Sequence, residues 1–304
     1  MSRAVEYDVT GGPGVLHLVD VDDAEPARGQ VAVRVAAAGL NPFDSKVRRG
    51  FLPSDAPFPR RIGSDLAGTV VAVGEGATYG DGVAAAVGDE VFGRADGAVA
   101  ERVLADVDHL ARRPAAVPVE VAGGLWVAGL TAVSCLATVP VGEGDTVLVG
   151  GAAGAVGIVA AQLALAAGAR VIGTASERNQ ELLRSVGVEP VVYGSALTDR
   201  LRAFGPLTAV MDCHGREALD AGVELGVPVQ RMVAIAAYAA LAELGVHNVE
   251  REARTPANLA MLADRIADGS VVLPIAATFS LDEVVAAFET LDAPHAAGKI
   301  VVMP

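Results

Sequence analysis

The sequence predicts an α/β protein, a strand-rich front followed by a doubly wound parallel sheet. Three observations predict it. Up to about residue 110, alternating or β-branched runs recur between Gly-rich turns. From about residue 120 the rhythm becomes strand, helix, strand, helix. Between the first such strand and its helix lies a loop of small residues, GGAAGAVG. Short strands separated by glycine turns build barrel-like β domains. Strands alternating with helices build parallel sheets.

A chain of 304 residues has room for two domains, at roughly 150 residues each. Apolar residues make up 52% of it, enough for large cores, and aromatics only 4%, so Ala, Val and Leu must fill them. The net charge of -14 opposes binding to nucleic acid or anionic lipid. The nearest basic patch, Lys46-Val47-Arg48-Arg49, reads as a solvated helix face. Cys135 and Cys213 show no C-x-x-C spacing. That excludes a four-cysteine zinc lobe and argues against a disulfide framework. With no apolar segment in MSRAVEYDVT, the expectation is a reduced, cytoplasmic protein. Residues 121–142, VAGGLWVAGLTAVSCLATVPVG, are long enough to raise a membrane helix. Flanking Glu120, Glu143 and Asp145, with internal glycines and Pro140, favour a buried helix and turn.

The front strands are expected in SRAVEY, VLHLVDV, QVAVRVA, GTVVAVG, DEVFGRA and AERVLA, parted by turns such as TGGPG and GEGATYGDG. TVLVG is then a short buried strand and AVGIVAAQLALAAG a helix apolar almost all round. ARVIGTA is a second strand. Ser176 supplies an N-cap for ERNQELLRSVG, which carries Leu182, Leu183 and Val186 on one face and ends at Gly187. EPVVYG and TAVMDCHG are further strands. LPIAATF is a strand, SLDEVVAAFETL a helix capped by Ser280, and GKIVVMP a closing strand.

The loop carries the strongest chemistry. Gly151, Gly154 and Gly157 fall between a strand and a helix, at the start of a βαβ unit. Small residues there (Ala152, Ala153, Ala155 and Val156 complete the loop) let the backbone approach a pyrophosphate. The helix N-terminus offers free N–H groups and the positive end of a dipole. Dinucleotide binding is therefore expected. An acid at the end of the second strand would select the unphosphorylated ribose. That place reads Gly173-Thr174-Ala175-Ser176 and holds no acid. Ser176 can donate a hydrogen bond and Arg178 can supply charge, which suits a 2′-phosphate and hence NADPH, with Glu177 opposing if it points inward.

Taken together, the β-rich front, the glycine loop and the closing strand resemble the medium-chain dehydrogenase/reductase superfamily, and within it the zinc-free quinone oxidoreductase, zeta-crystallin-like branch. GLNPFDSKVRRG resembles its Asn-Pro-x-Asp segment. RIGSDLAGTVVAVG resembles its Gly-x-Asp/Glu-x-x-Gly segment, VAGLTAVSCL its nicotinamide-side segment and HAAGKIVV its C-terminal strand. The resemblance covers nearly the whole chain. It implies a GroES-like β-barrel catalytic domain, residues 1–120 completed by 271–304, and an NADP-binding Rossmann domain, residues 121–270. It also implies an active site in the cleft and a homodimer. Several relatives carry tyrosines just after Asn-Pro-x-Asp, where this chain has Lys46 and Leu52.

Zinc enzymes of the superfamily hold their catalytic ion with a Cys and a His where this chain has Asn41 and Ser64. Neither is a usual zinc ligand, and the five histidines are scattered, so no metal is expected. Asp212-Cys213-His214 reads as a strand-to-turn packing element. Without a Lewis acid, oxidising a plain alcohol is difficult. Hydride addition to a conjugated carbonyl instead spreads charge onto an enolate oxygen, which needs a donor. Some enone reductases resembling this chain have a lysine in the place of Lys46, which makes Lys46 the candidate donor. Asn41 orients cofactor or substrate, Thr131 contacts the nicotinamide side, and Tyr193 stacks near the 2′-phosphate. Asp44 caps the short helix before Gly50. The expected activity is NADPH-dependent reduction of enones or quinones. The alternatives are an NADPH-binding sensor or partner-binding homologue that has lost turnover, and a zinc alcohol dehydrogenase.

Overall fold

A computed structural model describes residues 1–293 and 297–304. His295 and Ala296 of the HAAGKIVV segment lie outside the described residues. The chain divides into two compact units, Met1–Val127 with Thr255–Asp268 and Pro274–Pro304, and Ala128–Arg254 with Gly269–Leu273. Strands of the front are β1 (Ser2–Tyr7), β2 (His17–Val21), β3 (Gln30–Leu40), β4 (Arg60–Arg61), β5 (Asp65–Val73), β6 (Glu90–Arg94), β7 (Arg102–Asp106) and β8 (Leu110–Arg112). The second unit holds β9 (Thr146–Gly150), β10 (Arg170–Ala175), β11 (Glu189–Val192), β12 (Ala209–Asp212), β13 (Met232–Ala234) and β14 (His247–Asn248). Strands β15 (Ile275–Ser280) and β16 (Lys299–Met303) return to the first unit.

In the first unit, β3 organises the main sheet. It pairs antiparallel with β5, β7 and β16, within the order β15-β16-β3-β5-β6-β8. Of its eleven residues only Arg34 is exposed, because both faces are covered. The core combines Val33, Leu66, Val91 and Leu110 from the front with Phe288 and Val302 from the end of the chain. The C-terminal helix Val284–Asp292 and β16 thus complete a hydrophobic layer that the front alone would leave open to water. Ser280 starts this piece as expected, its N–H donating to the Glu283 carboxylate at 2.9 Å.

The second unit is a six-stranded parallel sheet, ordered β11-β10-β9-β12-β13-β14. Counted within the unit this is 3-2-1-4-5-6, the doubly wound order whose direction reverses between β9 and β12. Helix Ala155–Ala166 is buried from Gly157 to Leu163 and beyond, as its all-round apolarity requires. Helix Leu125–Thr138 has 14 residues, and among the described residues no helix is long and apolar enough to cross a membrane.

Two local expectations need correction. Ser176 occupies an N-cap position, but its hydroxyl makes no cap hydrogen bond. The segment opens with a 3-10 turn, Glu177–Asn179, whose Asn179 N–H goes to the Ser176 carbonyl at 2.9 Å. The supposed solvated face of Lys46-Val47-Arg48-Arg49 is also wrong for Arg48, which is 0% exposed. Its guanidinium donates to Asp292 at 2.8 Å and to the Gly11 carbonyl at 3.2 Å, partners far away in sequence.

Candidate active site

The glycine loop leaves β9 at Gly150, and Gly154 caps helix Ala155–Ala166. Gly151 has φ +67°, and a Cβ there would stand 2.6 Å from His214 Cβ. A Cβ at Gly157 would stand 2.3 Å from the Gly151 carbonyl oxygen, so helix and loop touch backbone to backbone. Thr174 of β10 holds the loop from below. Its hydroxyl accepts the Gly151 N–H at 2.8 Å and its carbonyl the Ala152 N–H at 3.0 Å. Gly173 makes room for Ala152, since a Cβ on it would meet Ala152 Cβ at 2.6 Å. The N–H groups of Ala155, Val156 and Gly157 head the helix without intrahelical acceptors. Ala153 is buried in the loop beside them.

Beyond β10, the Ser176 hydroxyl is buried with no hydrogen-bond partner among the described residues. A buried orphan hydroxyl is costly unless a ligand satisfies it. Glu177 and Arg178 are both exposed on the 3-10 turn. Tyr193 follows β11, half-buried, with its carbonyl accepting from Arg200 at 3.0 Å. Thr131 is buried on helix Leu125–Thr138, and its hydroxyl lies 3.3 Å from Arg254 Nη2. Asp212 ends β12. One carboxylate oxygen accepts the N–H groups of His214 at 3.2 Å and Gly215 at 2.8 Å, the packing role expected. Burial pushes its pKa up to about 6 against these hydrogen bonds. The unit thus holds a close-approach loop, free helix donors and an unsatisfied hydroxyl, the features that dinucleotide binding requires.

In the first unit, helix Pro42–Arg48 follows β3 directly, with Asn41 as N-cap. Asp44, three residues on, accepts the Asn41 N–H at 2.8 Å, which is the capping role expected of it. The Asn41 carboxamide forms the other half of the capping box. Its oxygen also accepts from Lys299 Nζ at 2.6 Å, and Lys299 donates to Asp65 at 2.8 Å. The second Asp65 oxygen accepts the Val127 N–H at 3.2 Å. Asn41, Asp65 and Lys299 are 3%, 0% and 2% exposed, so the ammonium is neutralised and hydrogen-bonded away from water, as a buried charge must be. Lys46 is half-buried farther along the same helix.

Lys299 and Arg254 were not singled out by the sequence reading. The available signal for Lys299 was a lysine opening an otherwise apolar strand, KIVVM. Arg254 carried no signal of its own.

Asp44 is titratable within this network. Burial first, then the Asp65 charge, push its pKa up to about 7, while the Asn41 N–H and the Lys299 ammonium pull it back. An ordinary aspartate titrates at 3.8. Below that value both folded and unfolded carboxyls are protonated and the full stability is present. Between it and about 7 only the unfolded chain releases the proton, so stability falls as pH rises, by on the order of a few kcal/mol. Asp212 acts with the same sign. Denaturant titrations from pH 5 to about pH 8 should show this decline in the wild type and a clearly smaller one in Asp44→Asn. Equal slopes would mean that Asp44 ionises as a solvated carboxylate.

Comparison with known proteins places this geometry. Residues 27–115 match the alcohol dehydrogenase GroES-like domain, and residues 155–260 match the family described as zinc-binding dehydrogenase. Among the described residues no three His, Cys, Asp or Glu side chains come together to hold an ion. The quinone oxidoreductase of Pseudomonas aeruginosa is 30% identical, covering 100% of both chains. The structure of the quinone oxidoreductase from Coxiella burnetii superposes with a TM-score of 0.86 at 29% identity, covering 100% of this chain and 99% of that one. A mycobacterial protein complexed with NADPH superposes at 0.87 with 31% identity over 100% of both chains. Full-length likeness, a GroES-like front and a doubly wound sheet with its glycine loop agree: the chain belongs to the quinone oxidoreductase branch of the medium-chain dehydrogenase/reductase superfamily.

Proposed function

We propose that the protein is an NADPH-dependent reductase of enones or quinones that works without a metal. In this reading residues 121–270 bind NADP, and residues 1–120 with 271–304 carry the catalytic groups. The observation that carries it is the buried Asn41–Lys299–Asp65 network at the start of helix Pro42–Arg48. Where zinc relatives place a Cys and a His, this chain has Asn41 and Ser64, and the cation beside Asn41 is the Lys299 ammonium. Such a set offers N–H donors to a developing oxyanion and no thiolate–imidazole cage.

Bound NADPH would supply the hydride. The chain's own residues do the rest. Gly151 to Gly157 hold the pyrophosphate through backbone N–H groups. The orphan Ser176 hydroxyl and the exposed Arg178 receive the 2′-phosphate, with Tyr193 beside them, and the lack of an acid at the end of β10 supports NADPH over NADH. Thr131, tied to Arg254, faces the nicotinamide side. Asn41 orients the reactants, and Lys46 donates to the enolate oxygen. The proton for the α-carbon comes from water.

The test is a panel of enones and quinones with NADPH, followed by loss of reduced-nicotinamide absorbance, in wild type and Lys46→Met. Wild-type turnover is expected, with kcat about 100-fold lower in the variant and NADPH affinity nearly unchanged. Binding without turnover on the whole panel would establish a non-catalytic NADPH-binding protein instead. Equal kcat in the variant would remove Lys46 from the mechanism.

A further inference from the structure

We propose that Lys299 is a positioning residue that fixes the polarity of the Asn41 carboxamide, so that Asn41 meets its ligand as an N–H donor to an acceptor oxygen. The inference rests on the reading of Asn41 as part of the active site.

An ammonium carries three donors and no acceptor. The Asn41 side-chain atom 2.6 Å from Lys299 Nζ must therefore be the oxygen, whichever way the amide might otherwise be placed. The amide nitrogen then points away from the lysine. It makes one long contact, 3.4 Å to the Gly39 carbonyl, which leaves its second N–H for a ligand. At an ordinary N-cap the asparagine oxygen would accept a helix N–H. Here the oxygen faces Lys299 at 2.6 Å as well as the first turn of the helix, and Asp44 closes the capping box from the other side.

The lysine is itself held so that it cannot turn away. Asp65 accepts from it at 2.8 Å and is fixed in turn by the Val127 N–H. Its stem runs between two glycines. A Cβ on Gly39 would stand 2.7 Å from Lys299 Cε, and one on Gly124 would stand 2.6 Å from Cγ. The chain thus combines a glycine-lined corridor, a buried counter-charge that accepts from the ammonium, and the neutral Asn41 oxygen beside it. Flipping the Asn41 amide would set its NH2 group against the ammonium and leave the oxygen without this partner. The ligand atom that fits is a carbonyl or enolate oxygen of the substrate, or an oxygen of the cofactor's nicotinamide half.

Two variants and their combination test this. Asn41→Asp keeps the shape and gives Lys299 a carboxylate partner, but removes the donor. Asp65→Asn with Lys299→Met removes the ammonium together with the charge that needs it, so that neither is left buried alone. Asn41→Asp, measured at a temperature where it is folded, is expected to lose about 100-fold. Loss in kcat assigns the oxygen to the substrate; loss in NADPH affinity assigns it to the cofactor. The Asp65→Asn/Lys299→Met pair should lose about tenfold in the same quantity. Adding Asn41→Asp to it should cost much less than in the wild type, because groups acting as one unit are not additive. Unchanged behaviour of Asn41→Asp, or full additivity, would overturn the proposal.

A readout independent of turnover separates failure here from failure of the functional reading. In the wild type the Asn41 side-chain NH2 should show slow hydrogen exchange and a high 15N order parameter, and in the Asp65→Asn/Lys299→Met protein fast exchange and a low one. A rigid amide in a protein without reductase activity would defeat the functional reading alone. An amide equally rigid in both proteins would defeat the role of Lys299.

Discussion

Gly157→Ala is expected to weaken NADPH binding by about 100-fold or more, measured by fluorescence titration of the folded variant. The added Cβ would lie 2.3 Å from the Gly151 oxygen, 2.8 Å from Ala152 Cα and 2.9 Å from the Gly151 carbon. All three are backbone atoms, and none can rotate aside. The first turn of helix Ala155–Ala166 must lift from the loop, and the N–H groups of Ala155 and Val156 move with it. Hydrogen bonds to a charged group contribute about 1.5–3 kcal/mol each. Losing one or two of them gives the stated factor. Circular dichroism should show the sheet intact, since the clash is confined to the loop. An affinity within threefold of wild type would mean that this loop does not cradle the pyrophosphate.

Arg48→Met should destabilise the protein by about 3 kcal/mol, the low end of the range for removing one member of a buried pair. The guanidinium is 0% exposed, donates to Asp292 at 2.8 Å, and lies 5.2 Å from the centre of the Phe288 ring. The low end applies because Arg49 also reaches Asp292, at 2.7 Å, and keeps its carboxylate partnered. Arg48→Met with Asp292→Asn should lose less than the sum of the single losses, because the two side chains share one interaction. Urea midpoints at constant m-value check both statements. A loss below about 0.5 kcal/mol would place Arg48 among ordinary surface arginines.

What was legible in the chain was local. TVLVG runs as strand from Thr146 to Gly150 because a short apolar run bounded by glycine fits a strand buried on both faces. The loop that follows was legible because small residues between strand and helix act through backbone geometry. The helix at 177–185 was legible as an element, but its cap was not: a 3-10 turn satisfied the first donor by a carbonyl and left Ser176 for something else. Arg48 was misread because nothing within its own helix shows that Val284–Asp292 will cover it. The Asn41 network was least legible of all. Its members lie 258 and 234 positions apart, and no periodicity reaches across such distances.

By itself, then, the order of residues determined which stretches become strand or helix, where the backbone can admit a pyrophosphate, and which family pattern the chain follows. Each of these depends on neighbours a few positions away. Folding alone decided that a lysine from the last strand would be buried against Asn41, and therefore which end of that amide faces the ammonium. The reason is physical: the direction of a hydrogen bond depends on the atom brought opposite, and that atom arrives only when the last strand pairs with β3.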